Sequence, residues 1–401
     1  MTLQNQTKNL LPLVALLMAS LALPVTADSK QLPDPDGKPA DMSKKIKVFI
    51  LSGQSNMCGM GKVDPLKGLV KSDKKYSYLV DDNGGWTQRK DAYYLYSLMG
   101  VKLHAKGWVS ATVNGNRIGP EAAIGHYMGH HLDEPVLLIK VACGNRSLGF
   151  DVMPPTSRKR TGNTDNSKKY YHGWSYDNWV KGAKDLLSNL DTHYPGYQGK
   201  GYEVAGFFWW QGHKDRGMSQ EMHEGLLKDL INDFRTEFAA PRAPFVVATI
   251  GFNGQNTGPW TGVFNAQMAI SDPSRHPEFA GNVSSVDIRS FGGGGTHYGD
   301  NGATYTKVGD AMGRAMVGLL STQAKSEKKT DNAISNENTN SALEKQASAK
   351  LQTVKRFLKR TNLTPHQKQL ARKHLELIIK KFPDTESAKE ARSLLGTNAD
   401  E

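Results

Sequence analysis

Residues 46–60 read Ile46-Lys47-Val48-Phe49-Ile50-Leu51-Ser52-Gly53-Gln54-Ser55-Asn56-Met57-Cys58-Gly59-Met60. The run Ile46–Leu51 is rich in β-branched and aromatic side chains and has the length of a buried strand. It breaks into small and polar residues from Ser52 to Asn56, with Gly53 marking a sharp end. Ser55 therefore stands at the carboxyl end of a strand, the edge at which open α/β sheets bind ligands. The competing role for Ser55 is the cap of a following helix.

Working outward, four more segments have strand character: Pro135–Ala142, Val204–Trp210, Pro244–Ile250 and Val283–Ile288. Helical stretches separate them at Gly119–Leu132, Trp174–Leu190, Met218–Phe238 and Val263–Ile270, and Thr304–Leu320 follows the last strand. This alternation predicts an α/β fold, a parallel sheet of about five strands with helices on both faces. Three strand ends then bring polar residues to one edge: Ser55, Gly144-Asn145 and Gln211–Asp215. Trp209 and Trp210 are adjacent on a strand, so at most one faces the site. Lys62–Gly107 reads as a long surface excursion, and Phe150–His172 as an irregular basic insert.

The chain has 401 residues, 22% charged and 38% hydrophobic, with a net charge of +12. It opens with Lys8, an apolar run from Leu10 to Val25 and small residues before Asp28, the pattern of a cleaved signal peptide over residues 1–27. Residues 28–44 form a Pro- and Asp-containing linker. The expected location is the periplasm or the exterior, with no transmembrane segment after cleavage. Export argues against nucleic acid as a partner, and an acidic glycan or anionic surface suits the basic balance better. Cys58 and Cys143 are the two cysteines, and an oxidising compartment permits a bridge between them. Residues 322–349, rich in Lys, Asn and Ser, read as a disordered linker. Residues 350–401 read as a helical, tetratricopeptide-like tail too short to stack as a solenoid, able to dock an envelope or protein partner.

Acyl transfer needs a nucleophile, a base to take its proton and donors aimed at the developing oxyanion. Ser55 can be the nucleophile. His297, after the glycines at 292–295, can be the base. Gly144 offers an unhindered N–H and Gln211 a side-chain amide. A catalytic metal held by His213, Asp215 and His297 would be a poor motif, and no metal or cofactor is expected.

The blocks SGQSNM at Ser52–Met57, GPE at Gly119–Glu121, KVACGN at Lys140–Asn145, WWQGHKD at Trp209–Asp215 and THY at Thr296–Tyr298 occur in this order. Together, from about Lys45 to Leu320, they resemble the sialate O-acetylesterase-like branch of the SGNH hydrolases, carbohydrate esterase family six. The resemblance implies a flavodoxin-like three-layer α/β/α sandwich over residues 45–321 and metal-free removal of acetyl groups from sugars. It makes Ser55 the nucleophile and His297 the general base, with an oxyanion hole from Ser55 N–H, Gly144 N–H and the Gln211 side chain. Gln54, Asn56, Glu121, Asn145 and His213 become candidate substrate contacts. Two positions depart from the pattern: His213 stands where the family has Glu, and Gly294 where SGNH enzymes place Asp three residues before the histidine. Asp215 is then the candidate acid for orienting His297, Asp300 the next, and a Ser-His dyad the third. The departures also motivate an alternative, a catalytically impaired glycan-binding homologue.

Overall fold

The apolar run at Ile46 forms β1 (Ile46–Gly53), the central strand of a seven-stranded sheet. The computed structural model describes residues 39–397 apart from 252, 253, 255, 293 and 361, with backbone alone for 328–338. The expected signal peptide lies outside the described residues. The other strands are β2 (Ala92–Leu98), β3 (Lys102–Trp108), β4 (Val136–Ala142), β5 (Tyr202–Trp210), β6 (Phe245–Ala248) and β7 (Val283–Val286). Their order is β3-β2-β4-β1-β5-β6-β7, and every neighbouring pair is parallel except β2 with β3. The helices that matter below are α1 (Ser55–Cys58), α2 (Glu121–His131), α3 (Trp174–Leu187), α4 (Gln220–Glu237), α5 (Thr261–Ala269), α6 (Gly302–Leu358), α7 (Pro365–Lys381) and α8 (Glu386–Thr397).

Strand alternation divides the core into two layers. Ile46, Val48 and Ile50 of β1 pack with Trp179 and Ala183 of α3 and with Leu227 and Ile231 of α4. Phe49 and Leu51 face the other way, onto Ile124 and Met128 of α2 and Val308 and Met312 of α6. The result is the three-layer α/β/α arrangement, with β1 covered on both faces as its continuous apolar sequence requires. Trp209 joins one layer and Trp210 the other, at 0% and 2% exposure, so neither offers a ring to a sugar.

Three expectations are corrected. The stretch read as a surface excursion contains β2 and β3, which extend the sheet from about five strands to seven. β2 shows no polar alternation because both its faces are buried, and its tyrosines lent it a polar look. β3 is an antiparallel edge strand whose Lys102 and Lys106 are exposed, a charge pattern that discourages edge pairing. The second correction concerns residues 322–349, where α6 continues as helix instead of a disordered linker. Its last turns are held by tertiary contacts: Ala347, Leu351 and Val354 pack on Ala371, Leu375 and Ile378 of α7. Glu344 also accepts hydrogen bonds from Ser387 Oγ (2.5 Å) and Ser387 N (3.2 Å) at the start of α8. α7 begins with Pro365 at its first position and a capping box between Thr364 and Gln367, which fixes where the tail turns. The basic insert is also partly ordered, as a short helix over Pro155–Thr161.

Candidate active site

The carboxyl ends of β4, β1 and β5 lie side by side, where the chain crosses from one half of the sheet to the other. β1 ends at Gly53 with φ +154°, and a Cβ there would sit 2.2 Å from the Trp210 carbonyl oxygen. Only glycine lets β1 press this closely on β5 before the chain turns into α1. Gln54, 2% exposed, donates its N–H to Trp210 O (3.2 Å), and its Oε1 receives the N–H groups of Gly212 (3.5 Å) and Lys214 (3.4 Å). Gln54 is thus a brace between two strand ends and not the substrate contact expected of it.

Ser55, half-buried, opens α1, and its N–H has no acceptor within that single turn. Its Oγ lies 3.1 Å from His297 Nε2, although 242 residues separate the two in sequence. The next residue, Asn56, is 5% exposed, and its Oδ1 accepts from the Tyr305 hydroxyl at 2.7 Å. The same hydroxyl reaches the His297 carbonyl at 3.5 Å. Tyr305, fully buried in the first turns of α6, therefore links the nucleophile turn to the histidine turn. The sequence carried no signal for it.

Across from Ser55 runs the loop after β4. A Cβ built on Gly144 would have Ser55 Cβ, at 3.8 Å, as its nearest neighbour, so this backbone lies directly against the nucleophile. Asn145 adopts φ +58° with its side chain exposed. The loop beyond is pinned by two buried carboxylates. Asp151 Oδ2 accepts from Ser147 N (2.9 Å) and Ser147 Oγ (3.1 Å), and Lys214 Nζ lies 3.2 Å from it. Asp215 accepts from Leu148 N (2.9 Å), Gly149 N (3.2 Å) and Gln211 Nε2 (2.5 Å).

These contacts give Asp215 and Gln211 different work from that expected of them. Both Asp215 oxygens are turned to the 148–149 loop, so the structure does not bring this carboxylate to His297. Gln211 gives its amide hydrogens to Arg146 O (2.9 Å) and to Asp215, leaving none for an ester oxygen, and its Oε1 is buried without a partner. Behind Asp215, at 3.9 Å, His223 is fully buried and held below its usual pKa by burial, against the pull of the Asp215 charge. Asp300 is likewise occupied elsewhere. Its carboxylate lies 3.7 Å from Arg117, and only its N–H reaches His297, at the carbonyl (2.9 Å).

Glu121 is 0% exposed and cannot touch a substrate. Its Oε2 pairs with the equally buried Lys140 Nζ at 2.6 Å, and its Oε1 accepts from Gly119 N at 3.0 Å. Lys140 also donates to Cys58 O (3.3 Å) and sits 5.3 Å from the rings of Tyr94 and Tyr96. Removing one partner of such a pair strands a buried charge and costs about 3–5 kcal/mol. A lysine inside an otherwise apolar strand was the available clue to this pair. Cys58 and Cys143 stand as two free thiols and do not form the bridge entertained above. Burial pushes the Cys58 thiol up to about 11.

His213 stands where the resemblance noted above leads one to expect a Glu. Its pKa is lowered by burial first and then by the charges of His297 and Arg216, so it presents a neutral ring and no anion to its neighbour. It stacks on Trp260 at 5.2 Å, Trp260 Nε1 donates to His213 O (2.7 Å), and the Arg216 guanidinium lies 5.4 Å from the same ring. Among the described residues, no three His, Cys, Asp or Glu side chains are grouped to hold a metal. A cavity of about 730 Å³ lies near the amino end of the sheet, lined by Lys47, Glu203 and Arg242, remote from this chemistry.

A family model described as carbohydrate esterase, sialic acid-specific acetylesterase, matches residues 45–318. Among solved structures, a protein of Arabidopsis thaliana aligns at 17% identity and a TM-score of 0.44, over 68% of this chain and 97% of its own. A carbohydrate acetylesterase of Xanthomonas citri aligns at 15% and 0.45, over 68% of this chain and 56% of its own. A carbohydrate esterase family 2 enzyme with a carbohydrate-binding domain, from Corynascus thermopiles (Myceliophthora fergusii), aligns at 10% and 0.36, over 71% and 68%. No curated protein matches.

Proposed function

The chain belongs to the carbohydrate esterase family described as sialic acid-specific acetylesterases, and from that premise we propose that it removes O-acetyl groups from sugars through Ser55 and His297. The observation that carries this reading is the 3.1 Å contact between Ser55 Oγ and His297 Nε2, within hydrogen-bond reach for proton transfer. Ser55 Oγ attacks the acetyl carbonyl carbon while His297 Nε2 takes its proton. The oxyanion meets the N–H groups of Ser55 and Gly144, and the imidazolium protonates the departing sugar oxygen. Water, deprotonated by the same nitrogen, then cleaves acetyl-Ser55 and releases acetate. No carboxylate is required on His297 in this scheme. A dyad held by its backbone is slower than a triad, yet oxyanion donors and binding alone retain about 10³–10⁴-fold catalysis over water.

An acidic sugar suits the mouth of the site. The exposed Arg216, beside His213 and the Trp260 ring, supplies the cationic group there. A sialate or other acidic glycan is the proposed substrate, met in the periplasm or outside the cell after removal of residues 1–27. The second reading, a glycan-binding homologue with little turnover, draws support from the neutral His213.

Acetate release from a panel of acetylated glycans separates the two readings. Ser55→Ala is expected to lower hydrolysis of an aryl acetate by roughly 10⁴–10⁶-fold with an unchanged circular dichroism spectrum. Equal turnover by parent and variant would sink the assignment, and glycan binding without any acetate release would favour the second reading.

A further inference from the structure

The tail leaves two leucines of α7 exposed beside its packed core. On α7 the inner stripe of Ala371, Leu375, Ile378 and Phe382 is buried against Ala347, Leu351 and Val354 of α6 and Ala391 of α8. One position earlier along each turn runs a second stripe, Leu370, His374, Leu377 and Lys381, whose spacing keeps it on one helix face. Leu370 is 44% exposed and Leu377 55%. Beside this stripe a groove of about 680 Å³ opens between α6 and α7. Val354, Ile378 and Phe382 line it from below, Leu377 forms a wall, and Lys350, Lys380 and Lys381 stand around it. No carboxylate lines the groove, and none of the three lysines makes an ion pair among the described residues.

We propose that this groove docks an acidic amphipathic helix of a partner protein. Leu377, 55% exposed, with the edges of Val354, Ile378 and Phe382 that reach the groove, takes the partner's apolar stripe, as helix-in-groove recognition requires. The lysines, none of them in an ion pair among the described residues although Lys350 Nζ lies 5.9 Å from the Phe382 ring, set the sign of its flanking charges, because like charges brought against them would cost binding. The concave shape selects a helix, about 10 Å across, over a flat bilayer, whose anchors on a protein protrude instead of being recessed. The groove lies outside residues 45–318, so this inference stands or falls apart from the esterase reading.

The test pans a displayed library of random peptides about 15 residues long, roughly four helical turns, against the full chain. Enriched sequences are expected to place Leu, Ile or Phe three and four positions apart with Asp or Glu beside them. Binding of a synthesised consensus peptide, read by fluorescence anisotropy, is expected to weaken at least about tenfold in Leu377→Asp and in Lys380→Glu/Lys381→Glu, and to fall with added salt. Aryl-acetate hydrolysis and circular dichroism of the variants, which alter exposed side chains, report that the chain is intact. Four outcomes overturn the proposal: no enrichment, enriched peptides without acidic residues, equal binding by the variants, or co-sedimentation with phosphatidylglycerol vesicles that Leu377→Asp abolishes.

Discussion

The serine side and the histidine side of this site are built on opposite principles. Ser55 and Gly144 extend from strand ends fixed by buried contacts: Gly53 against Trp210, Gln54 across to Gly212, Asp215 on the 148–149 loop, and the Lys140–Glu121 pair beneath Cys58. His297 follows the short strand β7 by a largely exposed, glycine-rich turn, and its backbone is tied down by Asp300 N and the Tyr305 hydroxyl. The groups that must meet a developing charge at fixed distance are braced from several sides. The group that must only exchange protons is held more loosely. Electrostatic stabilisation of the oxyanion depends steeply on preorganised geometry, so the stiffness lies where it has most effect.

The contrast can be broken first on the stiff side. Gly53→Ala places a Cβ against the Trp210 carbonyl at a φ that side chains rarely adopt, and is expected to destabilise the fold by at least about 3 kcal/mol in urea titration. Asp215→Asn turns an amide NH₂ toward the N–H donors of the loop, and kcat should fall by about 10²-fold, as when one oxyanion donor is lost. The acid limb of its kcat/KM profile should stay in place. An acid limb shifted to lower pH would instead make Asp215 the acid that supports His297.

On the looser side the effects are smaller. His213→Glu puts a negative charge near His297, which favours the imidazolium, so the acid limb should move up by about one pH unit. An unmoved limb would show that position 213 does not communicate with the base. Gly294→Ala meets open space, and thermal denaturation should place it within about 0.5 kcal/mol of the parent. A larger loss would mean that the histidine turn is as constrained as the serine turn.

Much of this was legible in the chain because the relevant signals are local. A buried parallel strand announces itself by continuous apolar residues, and Ser55 and Gly144-Asn145 sit at the ends of two such runs. What stayed hidden depends on partners distant in sequence. β2 looked like surface because tyrosines can be buried on both faces of a strand, and β3 is half exposed. Asp215 and Gln211 were correctly placed at a strand end, but the direction a side chain takes there follows from the loop opposite. Glu121 looked available at a helix start until Lys140, 19 residues on, claimed it. The helix through residues 322–349 has little local propensity to reveal it, and its end is held by the packing of α7 and α8.

The partly buried Cys58 gives this edge of the sheet a built-in reporter. With its thiol pushed up to about 11, only about one molecule in 10⁴ carries a thiolate at neutral pH, and the sulfur lies behind the nucleophile turn. Alkylation of Cys58 is then slowed by the scarcity of its thiolate and by the partial cover of the segment that also carries Ser55. The labelling half-time, set against that of a free thiol at the same pH, reports how well this turn shields its sulfur, independently of any substrate.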